Sequence, residues 1–440
     1  MINLFESFDT KVKVLYNTFE NVEIDNETIV IEEDGFLPPN ILTPYQFFAC
    51  NQNQLTEALF FNQISIPQFW EIEGNNNSAE VKNMGVIKGR IIYKKNFGFR
   101  IVERVEWLNK HSKTQVIDYY NKNGLKYAQL IVDDNQRRII KRWFNDKKQE
   151  IITENFITND IILKWQEKEY IFHSKVQFVI FFLKVANIPM DSFLINSLSI
   201  PCAVLHDLKV EGNDYLFWQE KSNGSLPGNM KLMLSKKLRG CRVIIPNENE
   251  FNSLISLIDE EHKTQMLKSG YVYKFLGQNH YTKNVLTLTN SDQIPNLEEI
   301  VNNLPHYQFH IVALTEMSQK LMELNSYANV SLFPNSPKEQ ITSLYEKCDI
   351  YLDINKGNEI LDAVKSAFEY RLLILGYIET QHNDNYVATE NQFSLEKYTD
   401  LIQLLKNMEN NIVIRNEMLE YQLNQAGSIN KLSFMNCFLK

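Results

Sequence analysis

Glycine is scarce in this chain, with 15 among 440 residues. The first predicted strand, residues 1–5, is not followed by the GxGxxG pattern that lets a main chain approach a pyrophosphate closely. Residues 6–9 (ESFD) stand in that turn instead, and their negative charge disfavours a bound phosphate. An ordinary dinucleotide site at this turn is therefore excluded. A surface turn that caps the next helix with Ser7 or Asp9 is the alternative interpretation.

Paired cysteines and a leader sequence are also lacking. The chain has five scattered cysteines and no CxxC or CxxxC spacing, which argues against a zinc site or a disulfide framework and favours a reducing cytoplasm. The first residues show neither a basic nor an apolar leader region, so we expect no signal peptide. The cysteines are Cys50, Cys202, Cys241, Cys348 and Cys437.

Long apolar runs and net positive charge are lacking as well. The longest apolar run, residues 176–188, is interrupted by Gln177 and Lys184 and is too short to span a bilayer. The net charge of −9 provides no general attraction to nucleic acid or to an anionic membrane. Basic pairs at 137–138, 141–142 and 147–148 leave nucleic-acid binding as a weak alternative, because their charges alternate as on an ordinary strand face.

The two ends of the first 280 residues indicate α/β structure. Residues 1–45 and 176–280 contain short apolar runs and amphipathic stretches, and we expect them to form one Rossmann-like domain. Residues 200–208 (IPCAVLHDL) and 271–276 are predicted strands. His206 and Asp207 would then lie at a strand end that could contact an acceptor, but we favour a purely structural histidine.

Residues 46–175 indicate an inserted antiparallel β-meander, because strand-length runs repeat with a period of twelve. Each run ends at an Asx residue that suits a hairpin turn. We predict that aromatic residues of this domain bind a protein partner; the alternative, equally open, is that they pack on neighbouring domains. The turn residues are Asn109, Asn121, Asp133 and Asn145; the predicted partner-binding residues are Trp107, Tyr119, Tyr120, Trp143 and Phe144.

Residues 281–418 alternate cleanly between short strands and helices, which predicts a second Rossmann-like domain with a parallel sheet; residues 419–440 are predicted as a closing helix. The stretch 348–360 reads as a buried strand, a polar turn and the start of a helix, with Gly357 in the turn. An open α/β sheet binds its ligand at such a turn.

Polar side chains gather where three strands of this second domain end, and mixed donors and acceptors suit peptide amides or sugar hydroxyls. The alternative for Asp353 and Asn355 is that they cap the following helix. We predict no catalytic residue, no metal site and no cofactor. The predicted acceptor-binding residues are Thr289, Ser291, Asp292, Thr315, Glu316, Asp353, Asn355, Asn358 and Glu359.

The order of elements over residues 284–376 resembles the nucleotide-sugar half of retaining glycosyltransferases of the GT-B type. The segments that carry the likeness are 284–289, 309–313, 329–333 and 344–350 (LYEKCDI). The resemblance implies two glutamates, with seven residues between them, that bind the donor. Gly357 and Lys365 stand at those positions, and Ala313 replaces a further glycine. The residues that would bind the donor are therefore missing.

A closer resemblance covers nearly the whole chain. Residues 1–5, 29–38 (IVIEEDGFLP), 61–63, 67–72, the β-meander and 348–360 are similar to the glycosylation-stabilising proteins of the accessory Sec system, the GtfB type. This resemblance implies a GT-B-like α/β fold, with two Rossmann-like domains that face a cleft and an inserted antiparallel β-meander domain. It also implies a non-catalytic partner of a glycosyltransferase A subunit, which adds N-acetylglucosamine to serine-rich repeat adhesins before export. The β-meander would pair with that subunit, and the cytoplasm, with peripheral association at the inner membrane face, is the implied location.

An active transferase with a relocated donor site is the alternative function. Glu359, Glu369 and His310 would be its candidate residues. A nucleotide needs cationic or amide contacts, which Lys356 and Lys365 could supply.

Overall fold

The computed structural model describes residues 1–49, 57–95, 97, 100–236 and 238–438. The chain divides into two compact units, Met1–Lys268 and Ser269–Lys440. Unit 1 holds a seven-stranded and a ten-stranded sheet, and unit 2 holds a six-stranded sheet. The domain boundaries expected from the sequence, 1–45 with 176–280, 46–175, 281–418 and 419–440, stay predictions.

Unit 1 alternates strands and helices at both ends and has strands alone in its middle. Its strands are β1 (Ile2–Phe5), β2 (Thr28–Val30), β3 (Ile41–Leu42), β4 (Glu71–Gly74), β5 (Ser78–Asn83), β6 (Val86–Tyr93), β7 (Val102–Leu108), β8 (Thr114–Tyr120), β9 (Lys126–Val132), β10 (Arg138–Phe144), β11 (Glu150–Asn155), β12 (Ile161–Trp165), β13 (Lys168–Phe172), β14 (Phe193–Ile195), β15 (Gly212–Phe217), β16 (Arg239–Ile245) and β17 (Met266–Lys268). Its helices are α1 (Thr10–Asn21), α2 (Pro44–Ala49), α3 (Lys175–Val185), α4 (Ile200–Asp207), α5 (Gly228–Ser235) and α6 (Glu248–Ile255).

The seven-stranded sheet is parallel throughout, in the order β17-β16-β15-β14-β1-β2-β3. Strand β1 lies inside the sheet and is wholly buried, which explains its continuous apolar run. The first turn caps α1, because the Asp9 carboxylate accepts a hydrogen bond from the Val12 amide at 2.9 Å. The capping interpretation of this turn is therefore confirmed for Asp9.

Two strands predicted for the first α/β domain are wrong: one lies in unit 1, and the other, at residues 271–276, lies in unit 2. Residues 200–208 form helix α4, which has a proline in its first turn, so His206 lies exposed in the last turn of a helix, 3.1 Å from the Asp207 carboxylate. An apolar run this short has no period that separates a buried strand from a buried helix. Residues 271–276 make only one isolated bridge, between Tyr271 and Ser428.

The ten-stranded sheet is antiparallel throughout and runs in sequence order from β4 to β13. The twelve-residue repeat marks its hairpins, as predicted. In each marked turn the Asx side-chain oxygen accepts main-chain amide hydrogen bonds; Asn121 Oδ1, for example, lies 3.0 Å from the Leu125 nitrogen. The matching bonds at the other turns are Asn109 with Lys113, Asp133 with Arg137, and Asn145 with Gln149.

One hydrophobic core joins the two sheets of unit 1. Trp143 of β10 stacks on Tyr45 of α2, with ring centroids 3.8 Å apart, and Tyr45 also contacts Phe178 of α3. Helix α2 therefore fixes the ten-stranded sheet on the parallel one. Helical structure at residues 44–49 was not expected, because the strand pattern of the insert was predicted to begin at about residue 46.

Unit 2 has the alternation predicted from its sequence, although α10 begins several residues later than the pattern indicated. Its parallel sheet has the order β20-β19-β18-β21-β22-β23. Its strands are β18 (Asn284–Leu288), β19 (Gln308–Val312), β20 (Val330–Phe333), β21 (Ile350–Asp353), β22 (Leu373–Tyr377) and β23 (Gln392–Phe393). Its helices are α7 (Leu297–Asn303), α8 (Gln319–Met322), α9 (Lys338–Lys347), α10 (Ala363–Glu369), α11 (Tyr398–Met408), α12 (Ile412–Gln425) and α13 (Lys431–Met435).

Within the described ranges, no helix is long and apolar enough to cross a membrane. Cys202, Cys241, Cys348 and Cys437 are free and buried. Cys50 lies outside the described residues.

Candidate functional site

The predicted acceptor site lies at the carboxyl edge of the six-stranded sheet. Strands β19 and β21 flank β18 on opposite sides, so the chain order reverses at β18. Because all three strands are parallel, the residues that follow them meet at one edge, and a reversal of strand order is where open α/β sheets form a crevice. Thr289 directly follows β18, Asp353 ends β21, and Thr315 lies three residues beyond β19.

Thr289 and Asn355 are buried and bind each other. The Thr289 hydroxyl oxygen lies 2.8 Å from Asn355 Oδ1, which also accepts the Gly357 amide at 2.9 Å. The same hydroxyl oxygen accepts the Ser291 amide at 3.0 Å. Thr289 is 0% and Asn355 3% exposed, so both side chains fix the loops rather than face a ligand.

Asp353 is engaged by a histidine that the sequence did not single out. His382 donates Nδ1–H to Asp353 Oδ1 at 2.5 Å and its main-chain N–H to Oδ2 at 3.0 Å. On its other side, Nε2–H donates to the Gly357 carbonyl at 2.7 Å. The hydrogen bond with the Asp353 carboxylate is the main cause that raises the pKa of His382 to about 9. The ring is therefore a charged imidazolium at neutral pH, with both nitrogens donating.

Glu359, rather than Asp353 or Asn355, accepts a hydrogen bond from a main-chain N–H group in the first turn of the following helix. Its carboxylate accepts the Val364 amide at 2.9 Å, and α10 begins only at Ala363. Burial raises the pKa of Glu359 above its usual range. The predicted capping role of Asp353 and Asn355 is therefore wrong, because His382, Thr289 and the Gly357 amide occupy those side chains.

The other predicted residues of this edge keep more solvent contact. Thr315, Glu316 and Asn358 are exposed, while Ser291 and Asp292 are half-buried. Ser291 Oγ accepts the Gln293 amide at 3.1 Å, which shapes the loop after β18. The predicted set thus splits into buried residues that support the loops and exposed residues that line the edge.

The candidates for an active transferase do not form a catalytic group. Glu369 pairs with Lys365 at 3.5 Å, and Glu359 holds the start of α10. His310 is 2% exposed, and burial lowers its pKa to about 4, so it is neutral at pH 7. No hydrogen bond or ion pair joins any two of the three in the part of the chain that the structure describes.

Gly357 occupies the position at which the resemblance would require a carboxylate. A Cβ there would lie 1.8 Å from the Asn290 side-chain oxygen, so any larger residue would clash with that side chain unless it moved. A glutamate at this position therefore requires the Asn290 side chain to move away.

The predicted partner-binding aromatics lie on the ten-stranded sheet in two different settings. Trp143 is 2% exposed and packs within unit 1, so its predicted role in partner binding is wrong and the packing alternative holds for it. Trp107, Tyr119, Tyr120 and Phe144 are half-buried. Trp107 donates its indole N–H to Asp118 at 2.9 Å.

His382 is the residue that sequence reasoning missed. It lies 29 residues beyond Asp353 along the chain, in a loop after β22, and no local pattern connects the two. Among the described residues, no group of three or more His, Cys, Asp or Glu side chains could hold a metal ion.

Comparison with known proteins first defines the class of fold. A crystal structure of a mutant of S. aureus TarM in complex with Fondaparinux, alpha-GlcNAc-glycerol and UDP covers 100% of this chain and 98% of its own, with a TM-score of 0.51 at 12% identity. At that identity the likeness concerns the fold alone, which is the fold of GT-B glycosyltransferases.

Closer matches then define the family. Domain models match at residues 2–48 (GtfB N-terminal domain), 70–173 (GtfB middle domain), 175–257 (GtfB third domain) and 285–422 (GftB/GlyA-F C-terminal domain). A UDP-N-acetylglucosamine--peptide N-acetylglucosaminyltransferase stabilizing protein GtfB from Streptococcus agalactiae is 37% identical over 98% of this chain and 97% of its own. A chain in the crystal structure of a GtfA/B complex bound to UDP and GlcNAc matches with a TM-score of 0.91 at 36% identity over 99% of both chains. The chain belongs to the GtfB family of stabilising proteins.

Proposed function

We propose that this chain is the non-catalytic subunit of a protein O-GlcNAc-transferase complex, in which it stabilises a GtfA-type glycosyltransferase and binds the polypeptide acceptor. One observation carries the proposal beyond family membership. The edge where a related enzyme would hold its nucleotide-sugar is filled by the chain's own Thr289, Asn355 and Gly357, joined by hydrogen bonds. A site filled in this way supports binding rather than transfer.

The proposed partner surface is the ten-stranded sheet, away from the face that packs on α2 and α3. Trp107, Tyr120 and Phe144 are half-buried in unit 1 alone, and half-buried aromatics are typical of protein interfaces. Tyr119 is half-buried too, but it packs against the core that holds Trp143 and lies outside this surface. The similarity to a chain of a GtfA/B complex supports a glycosyltransferase as the partner.

The proposed acceptor is the serine-rich repeat region of an adhesin, glycosylated in the cytoplasm, at the inner face of the membrane, before accessory-Sec export. Ser291, Asp292, Thr315, Glu316 and Asn358 would face it, while Glu359 and the buried Thr289, Asp353 and Asn355 would support the loops that carry them. Short polar side chains in extended loops can exchange hydrogen bonds with a Ser/Thr-rich chain.

The test is reconstitution of the complex. We expect the purified chain to raise the soluble yield and the peptide-transfer rate of its A subunit and to bind a Ser/Thr-rich peptide, while alone it neither hydrolyses nor transfers UDP-GlcNAc. Tyr120→Ala with Phe144→Ala should weaken co-purification, and Ile171→Ala, on an exposed position of the other end of the sheet, is the matched control. Unchanged activity of the A subunit on adding the chain, or calorimetric binding of UDP-sugar to the isolated chain, would contradict the proposal.

A further inference from the structure

A cavity of about 300 Å³ lies in unit 1, between helices α4 and α5 and the first residues of strands β15 and β16. Because these parallel strands begin here, the cavity lies at the amino edge of the seven-stranded sheet. Open α/β sheets bind their usual ligands at the opposite, carboxyl edge. The cavity is therefore not the usual ligand crevice of this sheet. Its apolar wall residues are Cys202, Ala203, Leu205, Leu232, Met233 and Cys241.

Small side chains leave this space open. Cys202 and Ala203 of α4 and Cys241 of β16 all line the cavity, and none of them fills the volume that a leucine would take. Burial raises the pKa of both thiols, so they stay neutral and belong to the apolar wall. An apolar cavity takes up small apolar molecules more readily than water, and small-molecule sites begin at about this volume, roughly 300 Å³.

The buried polar groups that line the cavity satisfy each other. Arg239 donates from Nε and Nη2 to the two carboxylate oxygens of Asp214, each at 2.7 Å. Its Nη1 donates to the carbonyls of Met190 and Val210 at 2.9 and 3.0 Å. A Cβ at Gly212 would lie 2.4 Å from Arg239 Nη2, so glycine makes room for the guanidinium in this position. Because the pair is neutral as a whole and its donors are occupied, it offers a ligand no free charge.

Lys236, directly after α5, is a cationic side chain at the solvent side of the cavity. Its ammonium donates to the carbonyls of Leu205 and His206 in the last turn of α4, at 3.1 and 2.7 Å. Among the residues that the structure describes, no carboxylate forms an ion pair with it; the nearby Asp207 carboxylate lies 3.1 Å from the His206 ring instead. An ammonium has three donors, so one remains for a ligand.

The charges around Lys236 favour an anion beside it. Burial lowers the pKa of Lys236, and the positive charges of Arg239 and Lys209 lower it further. The carboxylates of Asp214 and Asp207 act in the opposite direction without offsetting these effects. A negative group at the remaining donor would therefore stabilise the ammonium.

We propose that this cavity binds a small anionic amphiphile, with the apolar body of the molecule between α4 and α5 and its anionic group at the Lys236 ammonium. A medium-chain carboxylate is the simplest molecule of this kind. The apolar wall supplies affinity, and the single cation fixes the orientation. The site belongs to unit 1 and lies outside the proposed acceptor edge and the ten-stranded sheet, so it can exist whether or not the proposed function is correct.

The first test compares three probes that share one apolar chain. Octanoate, octanol and octylammonium are titrated into the purified full-length chain by isothermal calorimetry. We expect octanoate to bind at one site, octanol to bind roughly tenfold more weakly, and octylammonium to show no binding, because a hydrogen bond with an ionised group is lost or replaced by repulsion. Equal affinity for all three probes would overturn the anionic class, and no binding of octanoate would overturn the site.

The second test locates the binding. Ala203→Phe fills the cavity and should remove the binding of octanoate and octanol alike. Lys236→Met keeps the length of the side chain without its charge; it should weaken octanoate roughly tenfold and leave octanol unchanged. Lys231→Met, at an exposed lysine of α5 that does not line the cavity, is the matched control. Octanoate affinity that is unchanged in Ala203→Phe places the probe elsewhere, and unchanged affinity in Lys236→Met overturns the role of the ammonium.

The third test separates a free molecule from a lipid headgroup, which could supply the same chemistry. Sedimentation with phosphatidylglycerol vesicles should be the same for Ala203→Phe and the unmodified chain. A loss of vesicle binding in Ala203→Phe, but not in Lys231→Met, would overturn the assignment to a free molecule. Circular dichroism confirms that each variant is folded; should Ala203→Phe not fold, the probe series and Lys236→Met still decide the proposal.

Discussion

The hairpins of the ten-stranded sheet and the carboxyl edge of the six-stranded sheet both depend on polar side chains that bind main-chain atoms, but over very different distances along the chain. Asn145 binds the amide of Gln149, four residues away, and the same bond recurs at three other turns. At the edge, Thr289 binds Asn355 across 66 residues, and His382 binds Asp353 across 29.

Because of this difference, the contacts of the hairpins are redundant, whereas those of the carboxyl edge depend on one another. A hairpin that loses its Asx residue keeps its strand partners and its neighbouring hairpins. The edge has one copy of each contact, so loss of one side chain leaves a buried group without a partner. We therefore expect the sheet to tolerate substitution at its turns and the edge to lose both order and binding.

The largest effect is expected where the ten-stranded sheet meets the rest of unit 1. Trp143→Ala should lower the free energy of unfolding by about 3–5 kcal/mol, because it leaves a cavity against Tyr45. Phe144→Ala, next to it on the opposite face, should cost less than about 1 kcal/mol but reduce co-purification with the A subunit. Urea denaturation of the isolated chain measures both changes in the free energy of unfolding. Equal losses would contradict the assignment of Trp143 to the core face of β10 and of Phe144 to the opposite face.

The next effect is expected at the edge. Asp353→Ala leaves the His382 imidazolium without its carboxylate in a largely buried site, so unit 2 should lose about 2–3 kcal/mol of stability. Asp384→Ala, an exposed carboxylate two residues beyond His382, is the control. Hydrogen exchange of the β22 amides reports on the stability of unit 2 alone. If both variants exchanged at the rate of the unmodified chain, the Asp353–His382 ion pair would not contribute to that stability.

The same contrast explains what sequence reasoning achieved. The hairpins were predictable because period, turn residue and strand repeat within twelve residues. The strands of unit 2 and the polar turn after β21 were predictable for the same local reasons. His382 was not, because its partners are fixed only by the packing of β22 against β21, and α4 was misread because its apolar run has no decisive period. The core position of Trp143 was not predictable either. It depends on stacking against Tyr45 of α2, a helix that the twelve-residue repeat does not indicate.

A smaller effect is expected from pH. The pKa of His382 is raised to about 9 from an ordinary value of 6.5, so its contribution to the stability of unit 2 is fully present below about pH 6.5 and is lost as the pH rises through 9. The midpoint of thermal unfolding of unit 2 should therefore fall over this range in the unmodified chain. His382→Asn should lower the midpoint at neutral pH and flatten its pH dependence. An identical slope in both chains would assign the change to other groups.

The smallest effects are expected at a single hairpin. Asn145→Ala removes the acceptor of the Gln149 amide in an exposed turn and should cost about 0.5–1 kcal/mol, because β9, β10 and β11 stay paired. Lys148 of the same turn has φ +60°, so Lys148→Gly should relieve strain and stabilise by a few tenths of a kcal/mol up to about 1. Lys147→Ala is the control. Urea denaturation should show Asn145→Ala less stable than the unmodified chain, Lys148→Gly more stable and Lys147→Ala unchanged, with partner binding unchanged in all three. A loss at Asn145 as large as that at Asp353 would mean that the hairpins are not redundant.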